Sequence, residues 1–469
     1  MNDFSDEQAI EIREQQCREP NNRENRQTTS NLRRSLKSVF SWQNYSVYLV
    51  TSWVFSAFVV VWSLLNLYLR AIGWDYLQIG LVLAIVSTTS ACARIVGGYV
   101  GDAVDRKRLS ILAMLMAGVS HLTIGLFTDF AAVLLGLMIY ATMDIAKGGS
   151  SAYIMDNIPQ KDSGLALSLF SAGRSFGVLT LIPFGILVPI IGFGLAMRFC
   201  FVTAGLLFFV CTAARAYLLT SSVQKESAPN VPLWKDFIRK NRYAVSLLFR
   251  IMPGVLVVVI LDSFSDALFQ YGTLLYTNEY LGVSISGITI IVLVSLVVSV
   301  PLLLKVGRFS DERGVRKAAL IVYGVMPVCA ILIILAPVFP YWVPSEIVEI
   351  AEREVTGFGA VFSMPFLAFV LKQINDTLWS LVLLTLIQKR LPRQDTAKIL
   401  AVFWFIVYLF MSLGPFVGGL LFTYANPSQL FTVVLILNLV ILVSIARAGL
   451  VGRNDEPAEP RQTISASRR

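Results

Sequence analysis

The sequence predicts an all-α polytopic membrane protein with twelve transmembrane helices in two pseudo-symmetric six-helix bundles. Three observations predict it. Of the 469 residues, 56% are hydrophobic and only 15% charged, with a mean hydropathy of +0.68. A soluble domain cannot hide that much apolar surface in one core, so a bilayer is the natural solvent. The apolar residues fall into twelve runs, and a spanning helix needs roughly 20 residues. Finally, a short signal of small residues, an acid and a basic turn occurs twice, as "GGYVGDAVDRKR" at 97–108 and "GRFSDERGVRK" at 307–317. Each copy sits between apolar runs.

Taken in order, residues 1–44 mix acids, bases, Asn and Gln with few aromatics and read as a disordered cytoplasmic tail. They hold no apolar leader. "SLKSVFSWQNY" suits a short interfacial helix just before the first span. The expected spans are 46–70, 76–103, 109–128, 130–157, 162–190, 195–219, 244–278, 283–306, 316–340, 359–388, 395–424 and 428–449. Those above about 25 residues imply tilt or helix beyond the hydrocarbon.

Seven bases lie between Arg13 and Lys37, and others follow spans 2, 4, 6, 8 and 10, whereas the odd-numbered loops carry only Arg70 and Arg353. By the positive-inside rule both termini and every even-numbered loop are cytoplasmic. The organisation expected is therefore a tail at 1–44, one bundle at 45–220, a linker at 221–243, a second bundle at 244–449 and a tail at 450–469. Within the linker, Leu233, Trp234, Phe237 and Ile238 share one face with bases opposite, as in a helix lying at the inner leaflet. The stretch "YWVPSEIVEIAEREVTG" after span 9 is a smaller acidic amphipathic piece, either a lid or interfacial filler.

Composition excludes several functions. The net charge of +9 is spread over short connections between apolar runs, which is no nucleic-acid footprint. The five cysteines lack metal or redox spacing, and the single histidine, His121, lies inside an apolar run. No metal site, cofactor or catalytic set is expected, so an enzyme is disfavoured.

The repeated signal resembles the cytoplasmic loop signature of the major facilitator superfamily, Gly-x-x-x-Asp-x-x-Gly-Arg-(Lys/Arg). Gly98, Asp102, Arg106 and Lys107 match in the first copy, with Asp105 where the family usually has Gly. In the second, Gly307, Asp311 and Gly314 match, and Arg316 and Lys317 come one residue late. Physically, glycine permits close helix approach in lipid, and an acid beside a basic turn can form contacts in one arrangement of the halves and break them in another. The resemblance implies a cytoplasmic latch whose acid braces span 11 and whose Arg meets an acid ending span 4, here Asp156. The alternative is that these bases only set topology. The resemblance also implies alternating access around a central cavity lined by spans 1, 4, 7 and 10.

Charges inside the spans need a reason, since each costs about 2.5–3.5 kcal/mol on insertion scales. Span 4 carries Asp144 and Lys147, span 5 Arg174, span 7 Asp262 and Asp266, and span 10 Lys372 and Asp376. Aligned through Pro159 and Pro392, Asp144 and Asp376 fall at one depth. Internal pairs at i,i+3 and i,i+4 would neutralise Asp144–Lys147 and Lys372–Asp376. That leaves Asp262 and Asp266 on one helical face, where joint ionisation is resisted unless a proton or cation answers them; simple hydration by a wet cavity is the alternative. Arg174 could anchor a substrate anion, although pairing with Asp144 is preferred. Arg94 is assigned to the latch. Trp62, Asn66 and Trp379 could line a pocket.

Two departures limit the reading. Span 4 has Asp144 where many members have Arg before x-x-Gln-Gly. Of the span-5 antiporter signature only Gly164, Gly173 and Gly177 stand in place, while "GPFVGG" (414–419) occurs on span 11, where close packing explains it. The expectation is a monomeric carrier in the cell membrane that moves a small solute, coupled to H⁺, with antiport preferred to symport. Na⁺ coupling, uniport, lipid flipping and a ligand sensor on the same fold stay open.

Overall fold

The computed structural model describes residues 37–147, 153, 165–166, 169–170, 172–221, 241–243, 245–250, 252–306, 315–390 and 396–447. Eight described helices are long and apolar enough to cross a membrane. They are Asn44–Ala71, Tyr76–Gly97, Arg106–Leu126, Phe130–Lys147, Phe193–Leu218, Pro253–Glu279, Val402–Tyr424 and Ser428–Arg447, taken as spans 1–4, 6, 7, 11 and 12. Shorter apolar helices at Gly177–Ile191, Ile285–Val298 and Ala319–Leu335 stand for spans 5, 8 and 9, and Met364–Arg390 for span 10. Among the described residues the only extended pairing is one isolated bridge, Tyr341 with Ser363. A helix answers its own backbone polar groups, which lipid cannot do, so helices are what this composition can build.

The helix starts are written in the sequence as acidic caps. Asp75 accepts from the Gln78 amide at 2.7 Å while the Gln78 side chain accepts from the Asp75 amide at 3.2 Å, a reciprocal box that opens span 2. Asp129 accepts from the Ala132 amide at 3.0 Å and opens span 4. Asp105, out of pattern in the loop signature, accepts from the Lys107 amide at 3.0 Å and opens span 3. The departure from glycine therefore has a local cause: this chain caps span 3 with a carboxylate.

Among the described residues several spans are interrupted near charges or pocket residues, span 11 at Ser412 and span 9 at Gly324 among them. Span 1 tightens to a 3₁₀ turn over Val60–Leu64, and span 4 is broken at Met143 between Phe130–Thr142 and Asp144–Lys147. Such breaks put irregular backbone where a cavity or neighbouring helix can answer it.

Contacts between helix ends define two faces. At one, the Thr220 amide donates to Asn44 Oδ1 at 3.0 Å, joining the end of span 6 to the start of span 1. At the other, here called the far face, Arg198 Nε donates to the Gly125 carbonyl at 3.0 Å and Arg70 meets Glu279. The largest core, around Leu64, Tyr68, Tyr271, Leu275 and Phe422, joins both halves toward the far face. Separate clusters around Leu256, Tyr323 and Phe403, and around Ala117, Ala204 and Phe208, serve the C-terminal and N-terminal halves.

The two halves touch most closely where span 2 meets span 11. A Cβ on Gly419 would stand 2.6 Å from the Tyr76 carbonyl and 3.2 Å from Gly80 Cα, while inside the C-terminal half a Cβ on Gly414 would stand 2.9 Å from the Ala267 carbonyl carbon of span 7. A Cβ on Gly80 would overlap the Pro415 carbonyl and lie 3.0 Å from Gly419 Cα. The "GPFVGG" stretch thus packs on span 2 of the other half through Pro415 and Gly419 and on span 7 of its own through Gly414 and Gly418, as small residues in lipid allow.

The acidic piece after span 9 forms a short helix, Ser345–Glu354, with Val348 on its buried side. Glu352 accepts from the Gly357 and Gly359 amides at 2.6 and 3.0 Å. Gly357 has φ +88°, and its Cβ would stand 2.7 Å from the Gly287 amide nitrogen. The piece is therefore fastened to the start of span 8. The linker face of Leu233, Trp234, Phe237 and Ile238 lies outside the described residues.

Gly419→Leu should lower the thermal stability of the purified protein, since overpacking a tight contact costs about 1–3 kcal/mol. Gly185→Ala, whose Cβ would meet only Thr289 Cγ2 at 3.6 Å, should leave the melting temperature unchanged in the same assay.

Candidate functional site

A cavity of about 370 Å³ lies between the halves. Its lining includes Trp62 and Asn66 from span 1, Ser87 from span 2, Tyr271 from span 7, and Lys372 and Asp376 from span 10. Lys372, only 4% exposed, is its electrostatic centre. Its ammonium reaches both oxygens of Asp376 at 2.5 Å, one turn on, and also pairs with Asp266 across to span 7. The second oxygen of Asp266 accepts from Gln270 Nε2 at 2.8 Å. An ammonium buried this deeply needs its counter-charges and hydrogen bonds to be complete, because desolvation costs several kcal/mol per ion.

Asp262, one turn before Asp266 on span 7, stands apart from that pairing. It accepts from Trp379 Nε1 at 2.7 Å and also meets the Tyr323 hydroxyl. Tyr323 packs on the Trp379 ring at 4.8 Å and donates to Asn438 Oδ1 at 2.9 Å, which Ser265 also reaches at 3.2 Å. Among the described residues this is a carboxylate with neutral partners alone, the indole donating to it and the single Tyr323 proton serving either it or Asn438. The pair of acids expected on one face of span 7 thus divides: Asp266 takes the lysine, and Asp262 takes the indole.

The N-terminal half carries a cluster of its own. Asp144, 5% exposed, accepts from Arg94 Nε at 2.7 Å and from Ser90 Oγ, with Lys147 Nζ at 3.2 Å. Arg94 lies over the Tyr408 ring of span 11 at 4.1 Å, so Asp144 is linked through it to the other half. Among the described side chains the arginine that meets Asp144 is Arg94, assigned to the latch on sequence grounds. The backbone of Arg174 falls in a 3₁₀ turn, Ala172–Phe176, and its side chain lies outside the described ones. The helix of span 2 runs on to Ala103, so Arg94 lies more than two turns inside its end, at the depth of Asp144.

Trp62 lines the cavity and stacks on Tyr140 at 3.8 Å. Its Nε1 donates to His121 Nε2 at 3.0 Å, while His121 Nδ1 sits 2.8 Å from the Ala117 carbonyl. One ring nitrogen accepts and the other donates, which fixes a neutral tautomer. The lone histidine positions Trp62. Trp379 lies behind the wall, on Asp262, instead of facing the cavity.

The far face is closed over this cavity. Arg70 Nε and Glu279 Oε1 are 3.1 Å apart, and Tyr76 donates to the other Glu279 oxygen. Tyr271 donates to the Tyr76 carbonyl at 2.6 Å, and Asn66 to the Tyr271 carbonyl at 3.2 Å. Each contact joins an N-terminal to a C-terminal helix. Glu279 and Tyr76 were absent from the sequence candidates, although Arg70 stood out as one of two bases in the odd-numbered loops.

Little of the latch falls among the described side chains. Gly98 and Asp102 are on the span 2 helix and Arg316 is helical, without described side chains, and Arg106 and Lys107 open span 3. Asp156, Gly307, Asp311 and Gly314 lie outside the described residues.

The family profile of the Major Facilitator Superfamily matches residues 45–375. The chain belongs to the major facilitator superfamily. It is similar in structure to the nucleoside transporter NupG, with a TM-score of 0.64 at 14% identity over 86% of this chain and 98% of that one. A POT family transporter in complex with 5-aminolevulinic acid matches at 0.64 and 12% identity, over 85% of this chain and 94% of that one. A bacterial homologue of the human lysosomal transporter Spinster, inward-facing and occupied, matches at 0.59 and 15% identity, over 87% and 96%. At such identities these likenesses establish the fold. No curated protein matches the sequence. This member of the superfamily is a multi-pass membrane protein with a transporter fold.

Lys372→Met should destabilise the protein by less than the about 3–5 kcal/mol of a fully buried pair, because Asp266 and Asp376 lose their cation but keep side chains 21% and 39% accessible. Adding Asp266→Asn to Lys372→Met should recover part of that loss, as denaturant unfolding of the single and double variants would measure.

Proposed function

We propose that this protein is a secondary active transporter that moves a small solute by alternating access and couples the movement to protons. The observation that carries the reading is the charge balance at the central cavity. One ammonium, Lys372, serves Asp266 and Asp376, and a third carboxylate, Asp262, lies one turn away with neutral partners. Three acids against one base leave negative charge at a partly accessible cavity inside the helix bundle, and a proton or a cationic solute group is the natural complement. A proton arriving on Asp266 or Asp376 takes away one of the lysine's partners and frees Lys372 to shift between spans 7 and 10. Such a change is local, yet it lies on the seam between the two halves, where a two-state movement can be biased.

The far-face contacts fit a gate. The Arg70–Glu279 pair is partly exposed, with side chains 38% and 23% accessible. Ion pairs of that kind contribute about 0–1 kcal/mol, so they hold a conformation without locking it. With cytoplasmic termini, as the basic loops argue, the far face is the outer one and the conformation is inward-facing. The signature loops of spans 2–3 and 8–9, with Gly98, Asp102, Arg106, Lys107 and Asp156 in the first half and Gly307, Asp311, Gly314 and Arg316 in the second, form the opposing latch in this reading. The cell membrane is the proposed location, and a monomer suffices, because the cavity is complete within one chain. Antiport is preferred to symport, and the cavity's Trp62, Phe269, Tyr271 and Phe369 favour a solute with an aromatic or apolar body.

The test begins with a metabolite and drug panel, scored by thermal stability on either side of neutral pH. A ligand at 100 times its dissociation constant stabilises by about 2.7 kcal/mol. The ligand found is then followed in proteoliposomes. The Asp262→Asn/Asp266→Asn variant should bind it yet lose pH-gradient-driven flux; unchanged coupling would remove span 7 from the mechanism. Saturable binding with no flux in wild-type vesicles would make the protein a sensor, and flux indifferent to pH would make it a uniporter or Na⁺-coupled carrier. Glu279→Gln should shift the conformational equilibrium away from the far-face-closed state, read as faster labelling of a thiol introduced at Asn66.

A further inference from the structure

The N-terminal half contains a second cavity, of about 300 Å³, apart from the one between the halves. Spans 1, 3, 4, 5 and 6 build it, with Tyr48, Ser52, Phe55, Met143, Lys147 and Arg215 among its walls. Among the described residues no carboxylate lines it, and two cations do.

Arg215 is the unusual one. It is 4% exposed, near the end of span 6. Nε donates to Thr51 Oγ1 at 2.9 Å, one terminal nitrogen to the Ser110 carbonyl at 3.0 Å and the other to Ser52 Oγ at 2.8 Å. Its guanidinium lies 4.6 Å from the centre of the Tyr48 ring. Every one of these partners is neutral, and they use three of five N–H groups. Among the described residues no acid reaches it. An arginine buried without a counter-ion is costly, and proteins keep such a group where something supplies the missing charge.

Lys147 adds to the excess. Asp144 must neutralise both Lys147 and Arg94, so this second cluster also carries one positive charge more than it answers. Lys147 stands between aromatic rings, 5.0 Å from those of Phe55 and Tyr140. Tyr140 in turn stacks on Trp62, which faces the other cavity. The stack partitions the two spaces, with cations on one side and the carboxylates of Asp266 and Asp376 on the other.

We propose that this cavity is a binding site for an oxyanion, carboxylate or phosphate, carried on an apolar or aromatic body. Arg215 holds the anion through its remaining N–H groups, Lys147 provides the second charge, and Phe55, Met143 and Tyr48 enclose the body. The planar fork of arginine suits both carboxylate and phosphate geometry, and the volume is at the small end of ligand pockets. The same chemistry is offered by a free organic anion and by the headgroup of an anionic lipid reaching in between spans. This site stands apart from the proton-coupling reading, because none of its residues is in the Asp262–Asp376 cluster.

The full-length protein in phosphatidylcholine nanodiscs would be titrated with phenyl phosphate, benzoate and the uncharged benzamide, and its melting temperature followed. In parallel, discs with and without phosphatidylglycerol would be compared. The expected result is a rise with an anion and none with benzamide. Lys147→Met should weaken the effect by about tenfold, as loss of one half-buried charge partner does. Ala113→Leu fills the cavity without touching a charge and should abolish the effect, which keeps the test valid if Arg215→Gln does not fold. A response to free anions in plain discs identifies a soluble ligand, and one seen only with phosphatidylglycerol identifies a lipid headgroup. The proposal is overturned if no anion, free or lipid, raises the melting temperature. It is equally overturned if Ala113→Leu responds like the wild type, since the anion would then bind elsewhere.

Discussion

A charge placed inside a bilayer has to be answered within the protein, and much of this structure follows from how each half answers its own. In the C-terminal half, Lys372 is shared by Asp266 and Asp376 while Asp262 rests on Trp379. In the N-terminal half, Asp144 is shared by Arg94 and Lys147 while Arg215 rests on hydroxyls, a carbonyl and a ring. The halves therefore use the same device with opposite sign. One base serves two acids on one side, and one acid serves two bases on the other.

That arrangement depends on the helices being close enough for short side chains to meet. Ser90 and Arg94 on span 2 reach Asp144 on span 4 because Gly97 lets the backbones approach, its Cβ position being 2.6 Å from the Ile145 carbonyl. Between the halves, Gly80 and Gly419 do the same for spans 2 and 11, and within the C-terminal half Gly414 does so for spans 7 and 11. In lipid no hydrophobic force drives helices together, so close packing and polar contacts must supply the attraction. The contact of Arg94 with Tyr408, and of Thr88 with Ser412 at 2.8 Å, run along that same span 2–span 11 seam.

The far-face closure is built from different material. Arg70, Glu279 and Tyr76 are partly exposed, and their contacts are ones that water can replace at modest cost. Buried charge clusters near the middle and exchangeable contacts at the end are what a moving pair of bundles requires. The first must persist through the movement, and the second must break.

Fold class, the apolar runs and the charges within them were legible in the sequence, because in lipid a helix's length and hydropathy decide its place almost alone. The pairs Asp144–Lys147 and Lys372–Asp376 were legible too, since i,i+3 and i,i+4 spacing places them on one helix face. The packing role of "GPFVGG" followed from small residues in a span. What sequence could not decide was pairing between helices. That Lys372 reaches Asp266 on another span, that Asp144 takes Arg94, and that Glu279 joins Arg70 depend on rotation and depth, which no periodicity encodes. Arg215 raised no signal at all, being one base near a span end. Only the tertiary structure put it beside a cavity, because burial and the lack of a counter-charge among the described residues belong to the assembled bundle and to no single helix.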